Sequence, residues 1–189
     1  AATTVADSKL PKPVPGAVTI GFAVDRDGVS ASTGVAWGSL GAPVVELEAH
    51  QKGVGWLAAA VVALVERWRP VAVACNGAGA TGAQVGPILA ALREAGLDTE
   101  IVQLGAKDWA RACGGLFVDV VEGRLVRPAG QWPPAVAAED ATERPVGEGW
   151  ARTARQATVP MSPLEAVTAA RAVLPVEVDE DYDVLESVL

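Results

Sequence analysis

Asp25 closes the apolar run Ala17-Val-Thr-Ile-Gly-Phe-Ala-Val24, and Arg26, Asp27 and Gly28 follow at once. A carboxylate at the end of a buried strand costs several kcal/mol unless a cation or hydrogen-bond donors meet it. Asp25 is therefore the first residue to ask about chemistry. Asn76 ends a second apolar run, Val71-Ala-Val-Ala-Cys75. Its amide oxygen can ligate a cation but brings no negative charge. Glu165 stands three residues after Ser162, with Pro163 between them. That spacing reads as a capping box, in which the glutamate bonds its own helix start; an inward-facing ligand is the competing reading. Asp27 could share a face with Asp25, but Asp27-Gly28 is a hairpin turn signal.

Other chemistries are poorly served. His50 is the single histidine, which removes histidine metal clusters, and it reads as a surface loop residue. Gly77-Ala-Gly79-Ala-Thr-Gly82 spells G-x-G-x-x-G after a strand and before a helix, as a dinucleotide loop would. The strand before it is the fourth rather than the first, and no acid closes the next strand. A glycine-rich turn is the better reading. Asp108 and Asp119 fall on or near helices, where solvated faces are expected.

The elements that must position these groups follow from hydropathy. Ala17–Val24 is apolar on both faces, as a central strand is, and Ser30–Trp37 and Val44–Glu48 continue as a meander. Val54–Arg69 reads as a buried helix ended by Pro70, and Val71–Cys75 as a strand parallel to the first. Gln84–Ala95 is a helix closed by Gly96, Thr99–Leu104 a fifth strand, and Ala106–Cys113 a helix. Leu116–Val121 with Arg124–Arg127 suggests an edge hairpin, and Pro134–Arg144 a helix. A last helix runs from Pro163 to about Leu174. Residues 1–16 read as a proline-rich linker or leader, 17–175 as one domain, and 176–189 as an acidic tail.

The chain has 189 residues, half of them apolar, enough for one sizeable core. Its net charge of −8 argues against a generally basic nucleic-acid-coating protein. A local patch is still open, because Arg111, Arg124, Arg127, Arg144, Arg152 and Arg155 cluster in sequence; solvated surface is the alternative. Cys75, inside an apolar run, reads as a reduced buried thiol. No signal peptide and no stretch long enough to span a bilayer is visible, so a cytoplasmic location and no membrane partner are expected.

In this order the elements match a ribonuclease H-like arrangement, a mixed five-stranded sheet (antiparallel meander, then parallel strands) flanked by helices. The chain resembles the C-terminal nuclease domain of bacteriophage terminase large subunits. The resemblance rests on Ile20-Gly-Phe-Ala-Val-Asp25, Gly53-Val-Gly-Trp-Leu57, Trp68-Arg-Pro-Val-Ala-Val73, Lys107-Asp-Trp-Ala-Arg-Ala-Cys113, Ser162-Pro-Leu-Glu-Ala166 and Tyr182-Asp-Val-Leu-Glu-Ser187, taken in order. It implies a Mg2+- or Mn2+-dependent endonuclease acting on double-stranded DNA in the host cytoplasm. The implied partners are a terminase ATPase domain or other packaging-motor proteins. No G-x-x-x-x-G-K-[ST] loop for such an ATPase occurs in this chain.

Residue by residue, Asp25 matches the family's first metal-binding aspartate. Asn76 falls where the second acid is expected, and Pro160 or Ser162 where the third is. The resemblance thus implies Asp25 and Asn76 as catalytic residues, and Asp25, Asn76 and Glu165 as metal contacts. Weakly bound Mg2+ or Mn2+ and an altered, impaired site follow, with Asn76→Asp expected to raise metal affinity. The alternative is a catalytically inactive DNA-docking or packaging module on the same fold.

Overall fold

The computed structural model describes residues 3–5, 12–128, 142–146, 149–153 and 159–176. Three strands open the domain: β1 (Thr3–Val5), β2 (Val18–Val24) and β3 (Ser30–Gly38). β4 (Pro43–Lys52), α1 (Leu57–Trp68), β5 (Ala72–Asn76), the short α2 (Gly79–Gly82) and α3 (Val85–Glu94) follow. Next come β6 (Ile101–Leu104), α4 (Ala106–Val121), β7 (Val126–Pro128), β8 (Thr142–Val146), β9 (Gly149–Thr153) and α5 (Ser162–Ala172).

Among the described residues seven strands form one sheet in the order β1-β7-β4-β3-β2-β5-β6. The expected five, β2 to β6, are its centre: β2, β3 and β4 form the antiparallel meander, and β5 and β6 run parallel to β2. Two three-residue strands extend the β4 edge, β7 parallel to β4 and β1 parallel to β7. Thr3–Val5 lies within the segment read as a leader.

The helices cover both faces. Val18, Ile20, Phe22 and Val24 point one way, into a core with Leu57, Val61, Val65, Ile88 and Leu92 from α1 and α3. On the other face α5 lies with its backbone almost on the sheet. A Cβ on Gly21 would sit 2.0 Å from the Ala166 carbonyl oxygen and 2.5 Å from the Ala170 nitrogen, and one on Gly34 would sit 3.0 Å from Val167 Cγ1. Thr19 seals the contact by donating to the Ala170 carbonyl at 2.7 Å. Thr19, Gly21 and Ala23 on β2, with Ser32, Gly34 and Ala36 on β3, make the shallow bed that lets a helix approach this closely.

Two sequence expectations are corrected. Leu116–Val121 does not pair as a hairpin with Arg124–Arg127; it is the second half of α4, which runs unbroken to Val121. Trp109, Ala112, Cys113, Leu116 and Asp119 line its buried face at helical spacing, and that burial overrides the β-branched composition. Val126–Pro128 instead joins the main sheet. Of the helix expected over Pro134–Arg144, residues 134–141 lie outside the described residues; from Thr142 the chain is a strand, paired antiparallel with β9. Residues 177–189 of the acidic tail also lie outside. Cys75 is fully buried and unpaired, and burial pushes its thiol up to about 12, so it is inert at neutral pH. Among the described residues no helix is long and apolar enough to cross a membrane.

Candidate active site

Asp25 follows β2 directly at the carboxyl edge of the sheet and is 9% exposed. Its position is set by parity: Thr19, Gly21 and Ala23 face α5, and Asp25 is next in that alternation. The close seating of α5 then brings its amino terminus onto the carboxylate. Met161 N–H and Ser162 N–H donate to Oδ1 at 2.7 and 2.9 Å. Ser162 Oγ donates to Oδ2 at 2.8 Å, and Ser30 Oγ donates to the same oxygen. Four donors fill the acceptor capacity of one carboxylate. Asp25 thus caps α5 from 136 residues away, where the unpaired N–H groups and the positive end of the helix dipole favour a negative charge.

This arrangement replaces the expected capping box. The residue preceding α5 is Met161, no side chain of the helix's own cap bonds its N–H groups, and Ser162 turns to Asp25 and Ser32. Glu165 is therefore free of that role. It is half-buried in the first turn of α5, and its carboxyl is raised to about 7, chiefly by desolvation and additionally by the nearby Asp25 charge.

Asn76 ends β5 on the same face and edge as Asp25. The register pairs Gly21 with Ala74, both facing α5, so the next position on that face sets Asn76 beside Ala23. Asn76 supplies none of the four donors to Asp25, and its Oδ1 accepts the Ala78 N–H at 3.2 Å. Asp27 is a turn residue, its Oδ1 accepting the Val29 N–H at 3.1 Å, with Gly28 at φ 73° completing the turn. Pro160 is exposed just before α5.

These residues do not make up a divalent-cation site as arranged. A two-metal centre needs several carboxylates converging on cations about 4 Å apart. Here Asp25 is committed to four protein donors and Asn76 brings no charge. Among the described residues Glu165 is the further acid that senses the Asp25 charge, and desolvation disfavours its ionised form. Among the described residues no group of three or more histidine, cysteine, aspartate or glutamate side chains is placed to hold a metal.

The glycine loop has a structural task. Thr81 within it accepts the Val24 N–H at 2.9 Å and donates to the Val24 carbonyl at 3.2 Å, continuing the edge of β2 beyond its last pairing with β5. Gly77 N–H bonds the Leu104 carbonyl, and a Cβ on Gly82 would sit 2.3 Å from the Gly77 carbonyl oxygen. The loop is folded on itself rather than opened around a phosphate.

His50 is not a loop residue. It lies in β4 opposite Ser32, with Nδ1 2.9 Å from Ser32 Oγ. Asp119 is not on a solvated face; it is fully buried, held by Arg171 Nε at 2.7 Å and Arg124 Nη2 at 2.9 Å. Asp108 is exposed and paired with Arg111 at 3.1 Å. Arg111 and Arg124 of the suspected basic patch are thus engaged in ion pairs, and the side chains of Arg144, Arg152 and Arg155 lie outside the described residues. Ser162 was named in the sequence as a cap and at the third acid's position, but Ser30 and Ser32 beside it were missed. The available signal was the small, polar alternation Ser30, Ser32, Gly34, Ala36, unusual for a fully buried strand.

The chain superposes on the large terminase of bacteriophage HK97 with a TM-score of 0.65 at 12% identity, covering 86% of this chain and 40% of that one. The fold is ribonuclease H-like. The large terminase nuclease of the thermophilic phage G20c gives a TM-score of 0.62 at 14% identity, covering 85% of this chain and 83% of that one. A variant of the nuclease domain of the bacterial virus Sf6 large terminase subunit, solved with manganese, gives 0.59 at 12%, covering 89% and 93%. This chain therefore spans well under half of the HK97 protein but most of the two isolated nuclease domains. No protein-family model and no curated protein matches the sequence.

Proposed function

We propose that this chain is the nuclease-fold domain of a phage DNA-packaging terminase, handling double-stranded DNA, with metal-dependent cleavage impaired at the position of Asp25. The architecture shared with three terminase proteins supports the terminase setting. The observation that carries the impairment is the saturation of Asp25 by Met161, Ser162 and Ser30. For Asp25 to ligate a cation, the amino terminus of α5 would have to give up its cap. Asn76, and Pro160 or Ser162, at the other two positions where the resemblance expects acids, add no charge to offset that loss. Mg2+ or Mn2+ would supply Lewis acidity and an activated water if bound, and Asp25, Asn76 and Glu165 are the residues nearest to such a role.

The test is a plasmid-nicking assay in Mg2+ and in Mn2+, run beside salt-dependent DNA binding. Little or no nicking with retained, salt-sensitive binding is expected. Robust nicking abolished by Asp25→Asn would overturn the impairment; absent DNA binding would overturn the DNA reading.

A further inference from the structure

Asp25 is one end of a buried chain of hydrogen bonds. Ser162 Oγ lies 2.8 Å from Asp25 Oδ2 and 2.9 Å from Ser32 Oγ, which lies 2.9 Å from His50 Nδ1. Ser162 and Ser32 are fully or almost fully buried, so water does not substitute for these partners. Each hydroxyl has a single proton to give, and an ionised carboxylate has none. Ser162 therefore donates to Asp25. It can then meet Ser32 only as an acceptor, which spends the Ser32 proton. Ser32 in turn can meet His50 only by accepting, so Nδ1 must carry a hydrogen.

We infer that the Asp25–Ser162–Ser32–His50 chain locks His50 as its Nδ1–H tautomer and presents Nε2 as a hydrogen-bond acceptor for a ligand at the carboxyl edge of the sheet. The partner on one ring nitrogen decides what the other can do. Nε2 has no protein partner among the described residues and is not among the buried polar atoms left without one, and the residue is partly exposed. A neutral acceptor matches an N–H donor and repels a phosphate oxygen, which offers only lone pairs. On the DNA-handling reading, on which the ligand class rests, the match is the amino group of adenine or cytosine in the major groove. Lys52 lies two residues on in β4, paired with Ser30 as His50 is with Ser32, and its exposed ammonium suits the neighbouring phosphate.

The single histidine makes the test unambiguous. Two-bond 1H–15N spectra of 15N-labelled protein at about pH 8, above the ordinary imidazole range near 6.5, report which nitrogen is protonated. Nδ1–H is expected in the free protein, reverting to the Nε2–H form common in unstructured histidine on Ser32→Ala, with unchanged circular dichroism. Nε2–H in the unmodified protein overturns the lock without any variant. Adding a short DNA duplex is expected to shift Nε2, while sodium triphosphate leaves it unmoved. A duplex that binds by anisotropy without moving Nε2 overturns the ligand class. A duplex that does not bind overturns the DNA reading and the ligand class with it, while the free-protein spectrum decides the lock by itself.

Discussion

Replacing Asp25 by alanine is the perturbation whose sign separates a structural carboxylate from a metal ligand. The change removes the acceptor of four donors. The two hydroxyls can turn toward other oxygens, but the Met161 and Ser162 N–H groups at the buried start of α5 have nowhere to go. A hydrogen bond to a charged group contributes about 1.5–3 kcal/mol, and loss of the favourable helix-terminus charge adds about 0.5–2 kcal/mol. Relief from burying a charge and entry of water offset part of this. The expected loss is about 3–5 kcal/mol, the range seen when one partner of a buried ionic contact is removed. It is a large share of the roughly 5–15 kcal/mol that holds a domain together. Urea unfolding followed by the fluorescence of the six tryptophans measures it directly. Asp25→Asn should lose less, about 1–2 kcal/mol, since its amide oxygen still accepts both backbone N–H groups. A carboxylate kept for metal binding behaves oppositely: its removal leaves the metal-free protein as stable as before or more so. An Asp25→Ala protein within about 1 kcal/mol of the parent would show that the carboxylate does not hold the start of α5.

Further consequences can be checked in the same way. Gly21→Ala drives a methyl into the backbone of α5, and because backbone cannot yield as a side chain does, loss of the cooperative fold by circular dichroism is expected. Arg171→Ala leaves fully buried Asp119 with half its compensation and should cost about 3–5 kcal/mol in urea unfolding. Glu165, raised to about 7 from 4.5, holds its proton in the folded protein where the unfolded chain has released it. Its contribution therefore favours folding at low pH and declines as pH rises from about 4.5 to 7, by on the order of 2 kcal/mol. Glu165→Gln should flatten that slope and raise Tm near pH 8; an unchanged pH profile would show that Glu165 is not desolvated.

The sequence carried the central architecture because its strands are simple: β2 is apolar on both faces, Asp27-Gly28 makes the hairpin, and Pro70 ends α1. Asp25 was equally legible, as a carboxylate closing a buried run. What failed was local reading where distant partners decide. Ser162, Pro163 and Glu165 spell a capping box, yet Asp25 arrives from β2 and takes the helix terminus instead. Gly114-Gly115 and the valines after them argue against a long helix, but a Cβ on Gly115 would sit 2.4 Å from Arg171 Nη1, so that position is kept bare for the guanidinium on its way to Asp119. Asp119 looks solvated until α5 brings Arg171 to it. His50 looks like a loop residue because β4 runs past the hydrophobic part of its sequence, held by register with β3 rather than by burial.

The most direct measurement is the anomalous difference density of a crystal soaked in Mn2+. The expectation is no peak within ligand distance of Asp25, whose oxygens keep the Met161, Ser162 and Ser30 donors. A manganese ion bound to Asp25, with the Met161 and Ser162 N–H groups drawn away, would contradict it.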